Sequence, residues 1–133
     1  MIQYVDTDTS RYQPGVCNIG PAEIRRRRQI GYLGFAAAAA LFIALLAIDA
    51  PVWSRLLVAL PVAGGLDGLI QARERFCAGF ALSGLQNMGE LGEQVAVDDA
   101  EARAADRRKA MRIHATAAVG GLVTAIALVL LPV

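Results

Sequence analysis

Four consecutive arginines, Arg25 to Arg28, come shortly before nineteen residues, Ile30 to Ile48, that carry no charge. As an α-helix this stretch is about 28 Å long, close to the thickness of the hydrocarbon core of a bilayer. Arginines beside such a helix stay in the aqueous phase, because moving a guanidinium into hydrocarbon is costly. The stretch therefore predicts a first transmembrane helix, and the rest of the chain is arranged relative to it.

The composition agrees with a small membrane protein. Of 133 residues, 56% are hydrophobic, and the mean hydropathy is +0.45, which is natural for a chain with several spans. The net charge of +1 provides no basic field for nucleic acid, so no nucleic-acid partner is expected. Because residues 1–29 contain no apolar core of the length that a cleavable signal needs, the first span is expected to remain as an anchor.

The order of apolar stretches predicts three spans, at about residues 30–48, 52–70 and 113–131. The first connection, Asp49 to Pro51, is so short that the second helix must return antiparallel. In this arrangement twelve of the thirteen basic residues lie on one side and Arg55 alone lies on the other. Positive charge favours the cytoplasmic side. The sequence therefore predicts an all-α membrane protein with a cytoplasmic N-terminus and an outside C-terminus.

The remaining polar material is expected to lie in the cytoplasm. It comprises an N-terminal arm at residues 1–20, an irregular connection at 71–98 and the base of the third helix at 99–112. Residues 21–133, which include this connection and this helix base, are expected to form a three-helix membrane domain. Asp98 or Asp99 is a good cap for the third helix. At the outer surface, Arg55 is expected to extend beside Trp53 to the interface.

Two sets of residues are predicted to hold the helices in place. Small residues allow helices to approach closely, and they occur as Gly64-x-x-x-Gly68 and Ala117-x-x-x-Gly121. Basic residues at the cytoplasmic ends of the helices are expected to contact anionic lipid headgroups; they are Arg25, Arg26, Arg27, Arg28, Arg107, Arg108, Lys109 and Arg112.

Three potential metal ligands, Cys17, Cys77 and His114, fall on the cytoplasmic side of this topology. Their spacing is not that of a zinc site, and a fourth ligand is lacking unless a carboxylate supplies it. A disulfide between the two cysteines would be unusual in the cytoplasm. Because the sequence also has no nucleophile–base pattern and no phosphate-binding loop, we expect neither an enzyme nor a bound cofactor or metal.

Asp67 is the acidic residue placed deepest in a predicted span. An intramembrane carboxylate is a candidate for transport or proton transfer, but Asp67 is close to the inner end, where Gln71 or Arg73 offers a simple partner. A second feature is the likeness of Asn18-Ile19-Gly20 to Asn87-Met88-Gly89. Asn and Gly both favour turns, so these are either two independent turns or two loops that fold against each other or a partner.

The segment Tyr12 to Arg28, with its PGVCNIGP and RRRR runs, resembles a family of small bacterial membrane proteins that share this arm. The Phe76-Cys77 stretch, Asn87-x-Gly89 and the run from Asp98 to Arg108 are also similar. The resemblance implies a multi-pass protein of the bacterial inner membrane with important cytoplasmic loops. It implies no activity that can be transferred to this chain.

Three functions are compatible with these observations. The first is a non-catalytic structural or accessory subunit of a larger membrane complex, associated with other subunits or with itself. The second is a small thiol-redox or metal-responsive membrane protein that uses Cys17 and Cys77. The third is a homo-oligomeric transporter or channel built around Asp67. The first is favoured, because the chain has little soluble mass and several small-residue helix faces.

Overall fold

The computed structural model describes residues 11–133, so residues 1–10 of the predicted arm lie outside the described residues. Of these described residues, 71% are helical, and three helical stretches, Pro21–Ala47, Val52–Glu74 and Ala100–Leu130, are long and apolar enough to cross a membrane. The elements in order are α1 (Pro21–Ala47), a 3₁₀ helix (Val52–Val58), α2 (Ala59–Glu74), α3 (Ala78–Ser83), β1 (Leu85–Gln86), β2 (Val95–Ala96) and α4 (Ala100–Leu130). The predictions of a mostly helical chain and of three such helices are confirmed.

Local sequence signals explain where the long helices begin and end. Pro21 occupies the first turn of α1, where its missing N–H costs nothing. The Asp99 carboxylate accepts a hydrogen bond from the Ala102 N–H at 2.9 Å and caps α4. At the other ends, Asp49 and Arg75 adopt positive φ values of 51° and 55°, a left-handed conformation that stops a helix and turns the chain.

Helix α2 lies between α1 and α4 and packs against both. Its contact with α1 is made by glycines on both helices. A Cβ atom at Gly68 would lie 2.7 Å from the Gly31 nitrogen, and one at Gly34 would lie 2.6 Å from the Gly65 Cα. The two backbones therefore approach each other as closely as small residues permit.

The contact of α2 with α4 also depends on small residues. Ala117, Gly121 and Ala125 are buried along one face of α4, at the four-residue spacing that places side chains on one helical stripe. A Cβ atom at Gly121 would lie 2.9 Å from the Ala63 Cβ. The three helices thus form an open row in which both outer helices meet α2 through narrow, small-residue surfaces.

The two ends of this row differ in chemistry. The end formed by residues 11–29 and 71–113 is called the polar end. It contains α3, the strand pair and a small core of Phe76, Ala78, Ala81, Ala110 and Ile113. The opposite end, formed by residues 45–58 and 125–133, is called the apolar end.

The connection 71–98 is more regular than the sequence analysis predicted. Cys77 opens α3, and β1 pairs with β2 in antiparallel register, with Leu85 opposite Ala96. Turns separate these short elements, as at Gly84, where φ is 71° and α3 ends. Periodicity was lost in the sequence because the elements are only two to six residues long.

Arg55 is also placed differently from the prediction. Instead of extending outward beside Trp53, it is 5% exposed. Its guanidinium donates hydrogen bonds to the carbonyls of Leu128 at 2.9 Å and Leu131 at 3.2 Å, and also to that of Val133. The last carbonyls of a helix have no partners within it, and here they attract the one cation of the apolar end.

Candidate functional site at the polar end

The arm and the connection meet at the two Asn-x-Gly segments. The Asn87 N–H donates to the Asn18 carbonyl at 2.8 Å, and the Gly20 N–H donates to the Asn87 carbonyl at 2.9 Å. Ile19 and Asn87 thereby form a parallel β-bridge. The likeness of the two segments thus coincides with direct backbone pairing between them.

Both asparagine side chains are fully buried, and each forms hydrogen bonds with nearby backbone groups. The Asn18 side chain bonds both backbone groups of Cys77, donating to the carbonyl at 3.0 Å and accepting from the N–H at 2.6 Å. The Asn87 side chain donates to the Glu90 carbonyl and accepts from the Gly89 N–H. Buried amides need such partners, so the two asparagines fix the shape of the polar end.

The arm is held on α4 by Asp106, which is 1% exposed. Its carboxylate accepts hydrogen bonds from the Tyr12 hydroxyl at 2.5 Å and from the Gly15 N–H at 2.7 Å. Burial and the hydrogen bond to Asp106 raise the pKa of Tyr12 well above its ordinary value. Tyr12 therefore remains a neutral donor throughout the physiological range.

The four consecutive arginines, Arg25 to Arg28, do not share one role. Arg25, Arg26 and Arg28 are exposed, whereas Arg27 points inward. Successive helical residues are turned by about 100°, so a run of four must direct one member toward the protein. Arg27 is therefore directed into the protein, which its prediction as a lipid-interface charge did not include.

The inward Arg27 links a carboxylate to a thiol. Its guanidinium donates to the Cys77 Sγ at 2.9 Å and lies 3.5 Å from the buried Glu23 carboxylate. The Phe80 ring lies 5.8 Å from the guanidinium carbon. Sγ of Cys77 also accepts from the Phe80 N–H at 3.5 Å.

Cys17 has separate partners. Its thiol donates to the Arg11 carbonyl at 3.2 Å, and both Cys17 and Cys77 are buried, free cysteines. Within residues 11–133, no group of three or more His, Cys, Asp or Glu residues could hold a metal ion. His114 is not with the cysteines but pairs with Asp67.

Asp67 and His114 form a pair that the sequence analysis did not foresee. The His114 Nδ1 lies 2.9 Å from the Asp67 Oδ1, and the Gln71 side chain donates to the other Asp67 oxygen at 2.7 Å. Gln71 in turn accepts from the Ala78 N–H at 3.1 Å. The pair is thus connected to the start of α3.

The Asp67–His114 pair opens sideways into a shallow groove between α2 and α4, called the lateral groove. The groove has a volume of about 210 Å³ and is lined by Ala63, Gly64, Asp67, His114, Ala117 and Ala118. The His114 side chain is 42% exposed there. Apart from its own helix backbone and its chain neighbours, no atom of residues 11–133 lies within 4 Å of where a Gly64 Cβ would be, so the groove has room for a neighbouring group.

The predicted packing residues are therefore divided between two surroundings. Gly68 lies against α1, and Gly121 lies against α2. Gly64 faces the lateral groove, and Ala117, although buried, forms part of the groove wall. The sequence pattern did not include Gly31, Gly34 or Gly65, at each of which a Cβ atom would lie less than 3 Å from an atom of the facing helix.

The basic residues of α4 also differ in their surroundings. Arg107, Arg108 and Arg112 are exposed. Lys109 is half-buried, donates to the Val16 carbonyl at 2.8 Å and lies 5.0 Å from the centre of the Phe76 ring. A charge count could not distinguish Lys109 from its neighbours, because its partner is a backbone atom 93 positions away.

Fold and site define a helical protein with three candidate membrane-spanning helices and a hydrogen-bonded polar end. Comparison of the chain with known protein families, with curated proteins and with solved structures found no match. Function must therefore be inferred from the described residues themselves.

Proposed function

We propose that this chain is a non-catalytic accessory subunit of a larger complex in the bacterial inner membrane, with the polar end in the cytoplasm. The distribution of charge supports this orientation, because every Lys and Arg except Arg55 belongs to the polar end. The three long helices support insertion into a bilayer. The C-terminus then lies on the outside.

The single observation that carries the proposal is the lateral groove. Asp67 is six residues before Arg73, so it lies about 9 Å farther along the helix toward the apolar end. Polar side chains at such a depth usually face protein or water rather than lipid. His114 is half-exposed in the groove, and there is space beside Gly64. A transmembrane helix of another subunit would best fill this space and cover His114.

The low burial of the helices points in the same direction. Within the most apolar window of each candidate span, only 11% of the first helix, 33% of the second and 22% of the third is buried. A row of three helices therefore leaves wide surfaces for a partner. The polar end, whose loops are fixed by internal hydrogen bonds, would provide a second contact on the cytoplasmic side.

The experiment is to extract the protein from its own membrane in mild detergent and to identify the intact particle by native mass spectrometry. The wild type should carry a stoichiometric set of other membrane subunits. Gly64→Leu should abolish this association, because the new side chain fills the groove. Ala37→Leu is the matched control, since Ala37 is exposed on α1, and it should retain the partners.

Two results would contradict the proposal. One is a wild-type particle that contains only this chain, with no neighbour found by cross-linking in cells. The other is equal retention of partners in both leucine variants, which would exclude the lateral groove as the contact.

One observation favours a second function, a homo-oligomeric transporter or channel. His114 provides Asp67 with a titratable partner in the region of the predicted spans, as proton-coupled pathways require. The transporter would show flux in reconstituted vesicles that falls in Asp67→Asn. Unchanged flux in that variant would eliminate it. The thiol-redox and metal alternative has less support, because Cys17 and Cys77 are both buried and have different hydrogen-bond partners.

A further inference from the structure

A second cleft at the polar end is chemically distinct from the lateral groove. It lies between the end of α2 and the middle of α4 and has a volume of about 290 Å³. Its charged residues are Arg73, Glu74, Lys109 and Arg112, and its apolar residues include Ile70 and Ile113. We call it the basic cleft.

The charges of the basic cleft are unequal in their freedom. Lys109 is only 13% exposed, and its amine lies 3.5 Å from the Glu74 carboxylate. Arg73 and Arg112 are exposed, and neither makes an ion pair or a side-chain hydrogen bond with any residue from 11 to 133. The three cations and the one carboxylate of the cleft give it a net charge of +2. Lys109 is paired with Glu74, so this net charge is carried by the two guanidinium groups of Arg73 and Arg112.

Polarity changes along the cleft in one direction. Arg73 and Arg112 lie toward the arm. Ile70 comes three residues before Arg73, and Thr116 comes four residues after Arg112, so both lie about 5 to 6 Å nearer the apolar end. A ligand that follows this gradient has a compact anion at one end and an apolar chain at the other.

We propose that the basic cleft binds the phosphate headgroup of an anionic phospholipid, with an acyl chain lying along Ile70 and Thr116. Guanidinium groups bind phosphate with paired, charge-assisted hydrogen bonds, and basic pockets between helices near a cytoplasmic surface are suited to acidic headgroups. The inference rests on the proposed membrane orientation but not on the accessory role, since it concerns a different surface from the lateral groove.

The test uses the purified, delipidated full-length protein in native mass spectrometry, with added phosphatidylglycerol or phosphatidylcholine. The wild type should bind one phosphatidylglycerol in preference to phosphatidylcholine. The double variant Arg73→Gln and Arg112→Gln should lower the phosphatidylglycerol affinity about tenfold or more, since each exposed cation contributes to headgroup attraction. Both side chains are exposed, so the variant should keep its helicity by circular dichroism.

The matched control is the double variant Arg25→Gln and Arg26→Gln, which removes two exposed arginines of the same end outside the basic cleft. It should change the affinity less than twofold. An equal loss in both double variants would overturn the proposal, because it would show only general attraction to the surface. Equal binding of the two lipids would do the same.

A third measurement distinguishes a site for a lipid from a site for free anions. Inorganic phosphate at millimolar concentration should leave phosphatidylglycerol bound, because the acyl chain contributes to the affinity. Complete displacement by inorganic phosphate would overturn the lipid assignment. Failure of the subunit proposal would appear instead as a lone particle with unchanged lipid binding.

Discussion

Two regions of the molecule, the α1–α2 contact and the polar end, are stabilised in opposite ways. Along α1 and α2, the helices meet through glycines whose backbones almost touch, as at Gly31 and Gly68. At the polar end, buried amide and carboxylate side chains such as Asn18 and Asp106 bond the backbone. The first contact tolerates no added atom, whereas the second tolerates no lost hydrogen bond. Opposite kinds of substitution should therefore break the two regions.

The largest effect is expected where an atom is added between α1 and α2. Gly68→Ala should destabilise the protein by about 3 kcal/mol, because the new Cβ must push apart two backbones. Gly64→Ala, four residues away on the same helix, should change stability by about 0.5 kcal/mol or less, because its Cβ enters open space. Reversible unfolding in mixed micelles measures both. Equal effects would show that the glycines do not set the helix separation.

A side chain lost from the polar end should have the next largest effect. Asn18→Ala removes both bonds to Cys77 and leaves a buried N–H and carbonyl without partners, at a cost of about 2 kcal/mol. The control is Ser83→Ala, an exposed change at the same end, which should be nearly neutral. Hydrogen exchange should show increased opening of α3 in Asn18→Ala. Unchanged protection there would contradict the bracing role.

Arg55 tests whether the apolar end, like the polar end, depends on hydrogen bonds from a buried side chain to the backbone. Arg55→Met keeps much of the apolar stem but removes the bonds to the carbonyls that end α4. The loss should be about 1.5 kcal/mol, because water near the helix end replaces part of the bonding. Thermal unfolding in detergent measures the loss, and Trp53→Leu, exposed beside it, is the control. A neutral Arg55→Met would mean that the cap is dispensable.

This difference between regions also explains what could be predicted from the sequence. The three long helices were predictable, because apolar length is a property of each segment by itself. A helix cap at Asp98 or Asp99 was predictable for the same reason, and Asp99 is the residue that caps α4. Long-range pairing was not: Gln71 or Arg73 was expected as the partner of Asp67, whereas His114, 47 positions later, was not considered. Both are close to the polar ends of antiparallel helices, and matching residues by depth would have suggested the pair.

Arg27 and Gly31 show that the sequence also did not reveal which face of helix α1 is buried. The run of four arginines indicated the end of a span but not which member turns inward, because that depends on where α2 packs. Gly31 and Gly34 were overlooked for the same reason, since a helix that is apolar on all sides has no pattern that marks its buried face. Composition determines that such helices exist, whereas their mutual contacts determine the site.

The smallest predicted effect is the most specific to the polar end, because it depends on pH. Tyr12→Phe should cost about 1 kcal/mol at pH 7 by removing the hydrogen bond to Asp106. The raised pKa of Tyr12 in the folded protein means that its contribution is complete below pH 10 and is lost as the unfolded tyrosine ionises above that value. The stability difference between wild type and Tyr12→Phe should therefore be constant below pH 10 and narrow as the pH rises above that value. Tyr32→Phe, which removes an exposed phenol from α1, corrects for other effects of alkaline pH. A difference that stays constant or widens above pH 10 would show that Asp106 does not hold Tyr12 in its neutral form.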